Sequence, residues 1–106
     1  MVDRFGIFLL NLDTEISDDP KILRPCVVIS PDEINKNISS VIVAPVSSTV
    51  QKYPTRIRFE FLEKKRSIVL DQIRSVEKAR LVKHIGKLDR PTSNEVIEVL
   101  EEMFAA

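Results

Sequence analysis

Residues 24–31, Arg-Pro-Cys-Val-Val-Ile-Ser-Pro, decide the kind of fold that this chain adopts. The apolar part of this stretch, residues 26–29, ends in three consecutive β-branched side chains and lies between Pro25 and the Ser30-Pro31 pair. A β-branched run bounded by turn-forming residues is typical of a buried strand. The polar residues that follow, 31–35, predict a turn or a single turn of helix.

Similar short runs occur on both sides of this strand. Residues 7–12 and 41–44 are mainly apolar and end at a polar stretch and at Pro45, respectively. Residues 56–61 alternate polar and apolar side chains, which is the period of a strand exposed on one face. Residues 67–73 predict another buried strand. Five short strands at close spacing indicate an antiparallel sheet or a small barrel.

The C-terminal part of the chain carries the helical signals. Residues 75–88 fit either a helix capped at Gly86 or, in their second half, a strand. Thr92 is followed three residues later by Glu95, the spacing of a capping box with Thr92 as the N-cap. Apolar side chains then recur on one face of a helix, at Val96, Val99, Leu100 and Met103. Many strands before a terminal amphipathic helix predict a β-rich α+β fold.

Length and composition indicate one globular domain. The chain has 106 residues and is expected to form a single domain over residues 1–106, because folded domains typically hold about 100–150 residues. Hydrophobic residues make up 43% and charged residues 30%, which is typical of a globular protein and not of a disordered one. With two glycines, the turns are expected to be long or to use Asn, Asp and Pro.

Several classes of protein are excluded by what the sequence lacks. Cys26 is the one cysteine and His84 the one histidine, so no internal disulfide and no zinc site of these ligands can form. The sequence has no phosphate-binding loop, dinucleotide-binding or zincin motif, no signal-peptide pattern, and no apolar run near the ~20 residues that span a bilayer. We therefore expect a cytoplasmic protein without a metal, a cofactor or a membrane segment.

The charges of the chain are segregated along the sequence. The formal net charge is zero, which taken alone argues against nucleic-acid binding. However, residues 1–20 carry one basic and five acidic side chains, and residues 91–106 carry four acidic ones. Residues 21–90 carry fifteen basic and seven acidic side chains, so a positive surface that faces RNA is compatible with the neutral total.

Neither His84 nor Cys26 has the surroundings of a catalytic residue. His84 has the basic neighbours Lys83 and Lys87 and no nucleophile in a recognisable turn nearby, so we expect a partly exposed structural histidine. Cys26 lies within an apolar run, where cysteine usually acts as a small buried hydrophobic side chain.

Polar residues occur at the ends of the predicted strands. Arg24 stands immediately before Pro25 at the entrance of one strand, Ser47-Ser48-Thr49 follows another, and Asp71-Gln72 interrupts a third. Spacing alone favours a structural interpretation, in which Asp71 is a buried carboxylate that needs an arginine or a backbone N–H as its partner.

Four stretches of the chain together resemble the MazF/PemK toxins. They are residues 24–31, 42–48 (Ile-Val-Ala-Pro-Val-Ser-Ser), 53–55 (Tyr-Pro-Thr) and 71–76 (Asp-Gln-Ile-Arg-Ser-Val), in the order and spacing of that family. The resemblance implies a small SH3-like antiparallel barrel of the CcdB/MazF type with a C-terminal helix. It also favours a strand in the second half of residues 75–88, after a short helical turn.

The resemblance also implies a function, since members of this family are mRNA interferases of toxin–antitoxin systems. It implies a homodimer that is neutralised by a MazE-type antitoxin. The homodimer would cleave single-stranded RNA at short sequences, without the ribosome, a metal or another cofactor. In this reaction the ribose 2′-OH attacks its own phosphate and leaves a 2′,3′-cyclic phosphate and a 5′-OH.

By the same resemblance, three residues take part in catalysis. Arg24 matches the family's catalytic arginine, whose guanidinium can hold two phosphate oxygens. Ser47 stands where the family usually has threonine and retains the hydroxyl. Asp19 stands where many members have glutamate, the proposed proton acceptor. Val69 occupies a position that is basic in some members, so no basic side chain is expected to act from there.

RNA binding is expected to involve the residues around these positions. Tyr53 beside Pro54 is the aromatic residue best placed for base stacking, whereas Phe8 and Phe59 are expected in the core. The other residues that we expect to bind RNA are Ser48, Lys52, Arg56, Asp71 and Gln72. A solvated basic loop is the alternative interpretation of Lys52 and Arg56, because Lys and Arg are common at surfaces.

Two other functions stay open at this point. A catalytically weak homologue that binds an antitoxin and RNA is suggested by Ser17-Asp18, which replace the family's Gly-Ser before the acidic residue. A CcdB-like gyrase poison would share the barrel, but such proteins act through a C-terminal Trp-Gly-Ile. This chain ends at residues 103–106 in Met-Phe-Ala-Ala and has no tryptophan.

Overall fold

Strands dominate the part of the chain that the structure, a computed structural model, describes, namely residues 2–11, 23–50 and 52–106. Two single 3₁₀ turns precede the last two strands, at Leu70–Gln72 and Lys78–Arg80. No helix in these ranges is long and apolar enough to cross a membrane. The strands and helices in chain order are β1 (Gly6–Asn11), β2 (Leu23–Val28), α1 (Asp32–Asn37), β3 (Ser40–Ser47), β4 (Arg56–Phe61), β5 (Lys64–Val69), β6 (Arg74–Glu77), β7 (Leu81–Lys87) and α2 (Arg90–Phe104).

Strand β3 is the centre of a curled antiparallel sheet. The strand order is β4-β5-β3-β2-β1-β7, and β6 also pairs with β3. The first half of β3 pairs with β6, its middle with β2 and its last two residues with β5. Because one strand holds three neighbours, the sheet curls around it into a half-barrel. This arrangement, closed on one side by the C-terminal helix, is the β-rich α+β fold that the sequence predicts.

The two outer strands of the sheet approach each other through one aromatic ring. A Cβ atom on Gly86 of β7 would lie 2.7 Å from Cε1 of Phe61 on β4, closer than real Cβ atoms come. Glycine at position 86 therefore lets the Phe61 ring lie against β7. Phe61 in turn stacks with Phe59, and their ring centroids are 6.1 Å apart.

Apolar side chains are buried on both faces of the sheet, as the alternation along its strands requires. On one face, buried residues of β1 to β5 pack with Val96 of α2. Val99, Leu100 and Met103 lie partly buried against the same cluster, which confirms the apolar face predicted for this helix. The second cluster, on the other face, consists of Phe8, Leu10, Cys26, Val28, Val41, Val43 and Val76.

Helix α2 begins one turn earlier than predicted. Its N-cap is Asp89, whose carboxylate accepts a hydrogen bond from the backbone N–H of Thr92 at 2.8 Å. Pro91 lies in the first turn, where backbone N–H groups have no acceptor within the helix, so its missing N–H costs no hydrogen bond. The predicted capping box at Thr92 is wrong, because Asp89 followed by a proline is an equally good start signal three residues upstream.

The strand predicted at residues 67–73 is shorter in the structure, and the choice between helix and strand for residues 75–88 is decided. The strand expected at residues 67–73 ends at Val69, where the chain leaves the sheet through the first 3₁₀ turn. Residues 75–88 contain the end of β6, the second 3₁₀ turn and the whole of β7. The strand expected in their second half is confirmed and the alternative helix is excluded. The single helical turn expected at residues 31–35 is helix α1.

One tight turn does not use the residues that the composition suggests. Leu62 and Glu63 join β4 to β5, with φ angles of 53° and 62°. Two consecutive residues with positive φ are the mark of a type I′ hairpin, which favours Asn-Gly. The expectation of longer loops, or of turns built from Asn, Asp and Pro, is wrong here, because pairing of β4 with β5 along all six residues of each strand fixes the turn.

Candidate active-site cleft

A cleft of about 330 Å³ opens beside β2, β3 and β6. Arg24, Arg74 and Gln72 are the polar residues that line it together with Cys26, and the rest of the lining is apolar. None of the described residues that line it is acidic. Two cations beside an apolar surface, with no described carboxylate in the lining, form a site that attracts an anion.

The register of β2 and β3 places Arg24 and Ser47 on the same side of the sheet. Cys26 pairs with Pro45, and Arg24 and Ser47 each lie two residues further towards the same end of this antiparallel pair. Because side chains alternate with a period of two, both project from the face that carries Cys26. Strand pairing thus brings together two residues that the family resemblance assigns to catalysis.

Arg24 is exposed near the start of β2, where Pro25 fixes the backbone dihedral angle that follows it. Its Nη1 donates a hydrogen bond to the carbonyl oxygen of Leu23 at 2.9 Å, which holds the guanidinium beside the cleft. Ser47 is half-buried at the end of β3. Its Oγ accepts a hydrogen bond from the backbone N–H of Thr49 at 3.1 Å, so the oxygen is fixed and the hydroxyl proton is the group to donate to a ligand.

Asp71 and Gln72 have different surroundings. Gln72 lines the cleft, whereas Asp71 is exposed and bonded to Arg56, the first residue of β4, and to Thr55 before it. Its Oδ1 accepts hydrogen bonds from the hydroxyl of Thr55 at 3.0 Å and from Nε of Arg56 at 3.3 Å. These bonds hold the pKa of Asp71 below its ordinary value, and the bond from Arg56 has the largest effect. The predicted arginine partner is confirmed; the predicted burial is wrong, because the chain has already left the sheet at this position.

Tyr53 presents an exposed aromatic ring between β3 and β4. Its exposed fraction is 60%, and Cζ of Arg56 lies 5.1 Å from the ring centroid. This is the geometry of a cation–π contact, which orients the ring. Ser48 and Lys52 are exposed on the same connection. The residues expected to bind RNA therefore fall into two groups, one at the cleft and one around Tyr53.

Cys26 and His84 have the structural roles that the sequence predicts. Cys26 lies at the floor of the cleft and is 1% exposed. Burial raises the pKa of its thiol to about 12, against the opposing charge of Arg74, so the reactive thiolate is absent at neutral pH. His84 is exposed and lies against Phe8, with ring centroids 4.9 Å apart. Phe8 is buried and Phe59 partly buried in the two clusters, as predicted.

The third catalytic candidate, Asp19, lies outside the described residues, as does the Ser17-Asp18 pair before it. Across residues 2–11, 23–50 and 52–106, no group of three or more His, Cys, Asp or Glu side chains is placed to hold a metal ion.

Arg74 is the residue of the cleft that the sequence does not single out. It pairs with Val43 of β3, which also pairs with Val28 of β2, so its side chain projects from the same face as that of Cys26. It is one of sixteen Lys and Arg residues and lies in the family-like stretch 71–76, but the resemblance gives it no role. The signal that identifies it is the pairing of β6 with β3, which sequence periodicity leaves ambiguous.

Comparisons with known sequences give the family. Residues 3–104 match the model of the PemK-like, MazF-like toxin of type II toxin–antitoxin systems. The chain is 29% identical to the endoribonuclease EndoA of Bacillus subtilis over 111 residues, which cover 99% of this chain and 96% of the relative.

Solved structures share the fold. The MazE-MazF structure from Deinococcus radiodurans has a TM-score of 0.79 at 21% identity and covers 97% of this chain and 94% of its own. An endoribonuclease in complex with its cognate antitoxin, from mycobacterial species, has a TM-score of 0.79 at 17% identity, with 94% and 91% covered. Because the family match spans nearly the whole chain and the sheet has the same architecture, the protein belongs to the PemK-like, MazF-like toxins of type II toxin–antitoxin systems.

Proposed function

We propose that this protein is a sequence-specific, ribosome-independent endoribonuclease toxin that cleaves single-stranded mRNA and thereby inhibits translation and growth. The observation that carries the proposal is the cleft in which Arg24 lies beside Gln72, on the same face as Ser47, with no acidic group among its described lining residues. A phosphodiester is the anion that suits it, because the relative EndoA is an endoribonuclease.

In the proposed reaction the RNA supplies its own nucleophile. The ribose 2′-OH attacks the adjacent phosphorus, a 2′-O–P bond forms and the P–O5′ bond breaks. The 2′-OH gives its proton to a base and the leaving 5′ oxygen gains one, which leaves a 2′,3′-cyclic phosphate and a 5′-OH. Because the nucleophile is already in place and guanidinium groups can neutralise the developing charge, the proposal requires no metal.

Arg24 is the phosphate-binding group of this proposal. Its planar guanidinium can donate to two non-bridging oxygens at once, and a permanent cation is suited to charge stabilisation and not to proton transfer. The Ser47 hydroxyl donates to the same phosphate, since its oxygen already accepts from the backbone. The base that receives the 2′-OH proton is Asp19, a role that rests on the family resemblance.

The remaining contacts with RNA come from the β3–β4 connection and the first 3₁₀ turn. Tyr53 stacks on an unpaired base, and the Gln72 amide can donate and accept at a base edge inside the cleft. The other residues proposed to bind RNA are Ser48, Lys52, Arg56 and Asp71. We propose that the protein does this in the cytoplasm as a homodimer, which a MazE-like antitoxin neutralises. The family match and the antitoxin complexes of structural relatives support these partners.

The test is cleavage of a long RNA of known sequence in EDTA. The purified protein should produce discrete fragments whose 5′ ends accept phosphate from polynucleotide kinase without prior phosphatase treatment. Arg24→Ala should abolish the fragments. Lys83→Gln, which removes an exposed cation of β7 outside the cleft, should cleave as the wild type does.

Intact RNA in the presence of the folded wild type would contradict the proposal. If such a protein still bound its antitoxin tightly and left growth unchanged on induction, it would be a catalytically weak homologue that binds its antitoxin.

A further inference from the structure

We propose that Arg74 is a second phosphate-binding residue of the cleft, which contacts the reacting phosphate together with Arg24 and stabilises the charge that develops on it. This inference rests on the proposed RNA cleavage, because it concerns the same cleft. It adds a residue to which the family resemblance gives no role.

The position of Arg74 follows from strand pairing. Val43 of β3 pairs with Val28 of β2 on one side and with Arg74 of β6 on the other. Strand β6 is therefore two strand spacings, roughly 10 Å, from β2. Arg24 and Arg74 approach the cleft from these two strands and both line it.

The charge of Arg74 is not neutralised by a described partner. Within the described ranges its guanidinium makes no hydrogen bond or ion pair, whereas Arg56 is paired with Asp71 and Arg80 donates to the carbonyl oxygen of Asn11. Its positive charge acts on the thiol at the cleft floor, where it opposes the effect of burial on the pKa of Cys26. A guanidinium that lines a largely apolar cleft without a described partner is available to an external anion.

The proposed reaction calls for two positive charges. A phosphodiester carries one negative charge in the ground state, and attack by the deprotonated 2′ oxygen raises this towards two in the phosphorane. One guanidinium neutralises the single negative charge of the ground-state phosphodiester. A second guanidinium interacts mainly with the additional charge that develops on the phosphorane in the transition state. Such a residue raises kcat more than it lowers KM.

The experiment compares kcat and KM of the wild type, Arg74→Gln, Arg74→Lys and the control Lys83→Gln on the mapped RNA site. We expect Arg74→Gln to lower kcat by about 100-fold and to raise KM only severalfold, the share of one phosphate contact in the ground state. Arg74→Lys should fall between it and the wild type, since it keeps the charge and loses the planar fork. Lys83→Gln should match the wild type.

Binding to a 2′-O-methyl copy of the same RNA, which has no 2′-OH to attack, gives a second readout. Arg74→Gln should reduce the slope of log affinity against log salt concentration by about 0.7, the contribution of one phosphate contact on a single strand. Arg74→Lys should keep the wild-type slope. If Arg74→Gln lowers the midpoint of thermal unfolding, the test passes to Arg74→Lys. A kcat of Arg74→Lys below that of the wild type then supports the inference, and a wild-type kcat overturns it.

Wild-type kcat and salt slope in folded Arg74→Gln would overturn the inference. A higher KM at unchanged kcat would overturn it too, because it would place Arg74 on a phosphate away from the reacting one. Failure of the proposed function has a different signature, since the wild type itself would then leave RNA intact.

Discussion

Arg56 and Asp71 form a two-pronged ion pair, with Nε 3.3 Å from Oδ1 and Nη2 3.4 Å from Oδ2. The same guanidinium lies over the ring of Tyr53. Asp71 thus orients Arg56, and Arg56 orients the ring. A single exposed ion pair adds little to stability, so its main effect here is to fix the direction in which an exposed aromatic side chain points.

The first prediction concerns RNA stacking on Tyr53. It is the one tyrosine of a chain without tryptophan, so intrinsic fluorescence reports on this ring alone. Binding of a 2′-O-methyl RNA should quench this fluorescence. Tyr53→Ala should weaken RNA binding by about tenfold, because stacking of one base on an aromatic ring contributes about 1–3 kcal/mol. Tyr53→Phe should keep most of the affinity, and equal affinity in Tyr53→Ala would contradict the stacking role.

The second prediction concerns the carboxyl group of Asp71. Since Arg56 lowers its pKa, the stabilisation from this pair is present above the ordinary value of 3.8 and is lost as the pH falls through the lower, folded-state value. Arg56→Gln should therefore raise the pKa of Asp71 towards 3.8. An NMR titration of the side-chain carboxyl carbon measures this directly, with Arg58→Gln, two residues along the same strand, as the control. An unchanged titration in Arg56→Gln would mean that the pair does not form in solution.

The third prediction is a loss of stability at alkaline pH that depends on Cys26. Burial raises the pKa of its thiol from 9.0 to about 12. The stabilisation from the neutral buried thiol is complete below pH 9 and is lost as the pH rises towards the folded-state value. The difference between the free energies of unfolding of the wild type and of Cys26→Ala should be constant near pH 7. Above pH 9 this difference should fall by about 1.4 kcal/mol per pH unit.

Denaturant titrations of both proteins between pH 7 and 10.5 check this. Comparison with Cys26→Ala removes the contribution of the other groups that titrate in this range, so a difference that stays flat would contradict the assigned burial of the thiol.

The fourth prediction concerns the hairpin at Leu62-Glu63. Both residues have positive φ, a conformation that costs an L-residue about 1–2 kcal/mol and glycine much less. Glu63→Gly should raise the free energy of unfolding by about 1 kcal/mol, measured by urea denaturation. Lys65→Gly, in the neighbouring strand, should lower it, because glycine weakens a strand interior. A decrease in Glu63→Gly would show that the turn is not of type I′ in solution.

The sequence alone predicts the parts of this molecule whose signals are local. The β-branched run at residues 27–29, of which the first two lie in β2, identifies that strand, and the spacing of Val96, Val99, Leu100 and Met103 identifies the buried face of α2. The fold class follows from these elements and from the family resemblance, which also assigns Arg24 and Ser47 to one site. For both residues the side-chain direction depends only on the alternation along a strand.

The remaining features depend on contacts that are distant in sequence. Arg74 joins the cleft because β6 pairs with β3, and the residues after it fit a helix about as well as a strand. The apolar run around Asp71 predicts a buried carboxylate, yet the 3₁₀ turn carries it to the surface and to Arg56. Leu62-Glu63 carries no turn signal at all, since two fully paired strands impose its conformation.

The long sequence separation across the cleft has a consequence for synthesis of the chain. Arg24 and Arg74 come from strands that meet only through β3, and β6 cannot pair before residues 74–77 have been made. A chain that ends at residue 73 contains Arg24, Ser47 and Gln72 but lacks one wall of the cleft. A half-made chain therefore cannot present the complete cleft, and the activity proposed here needs a chain that extends at least through β6.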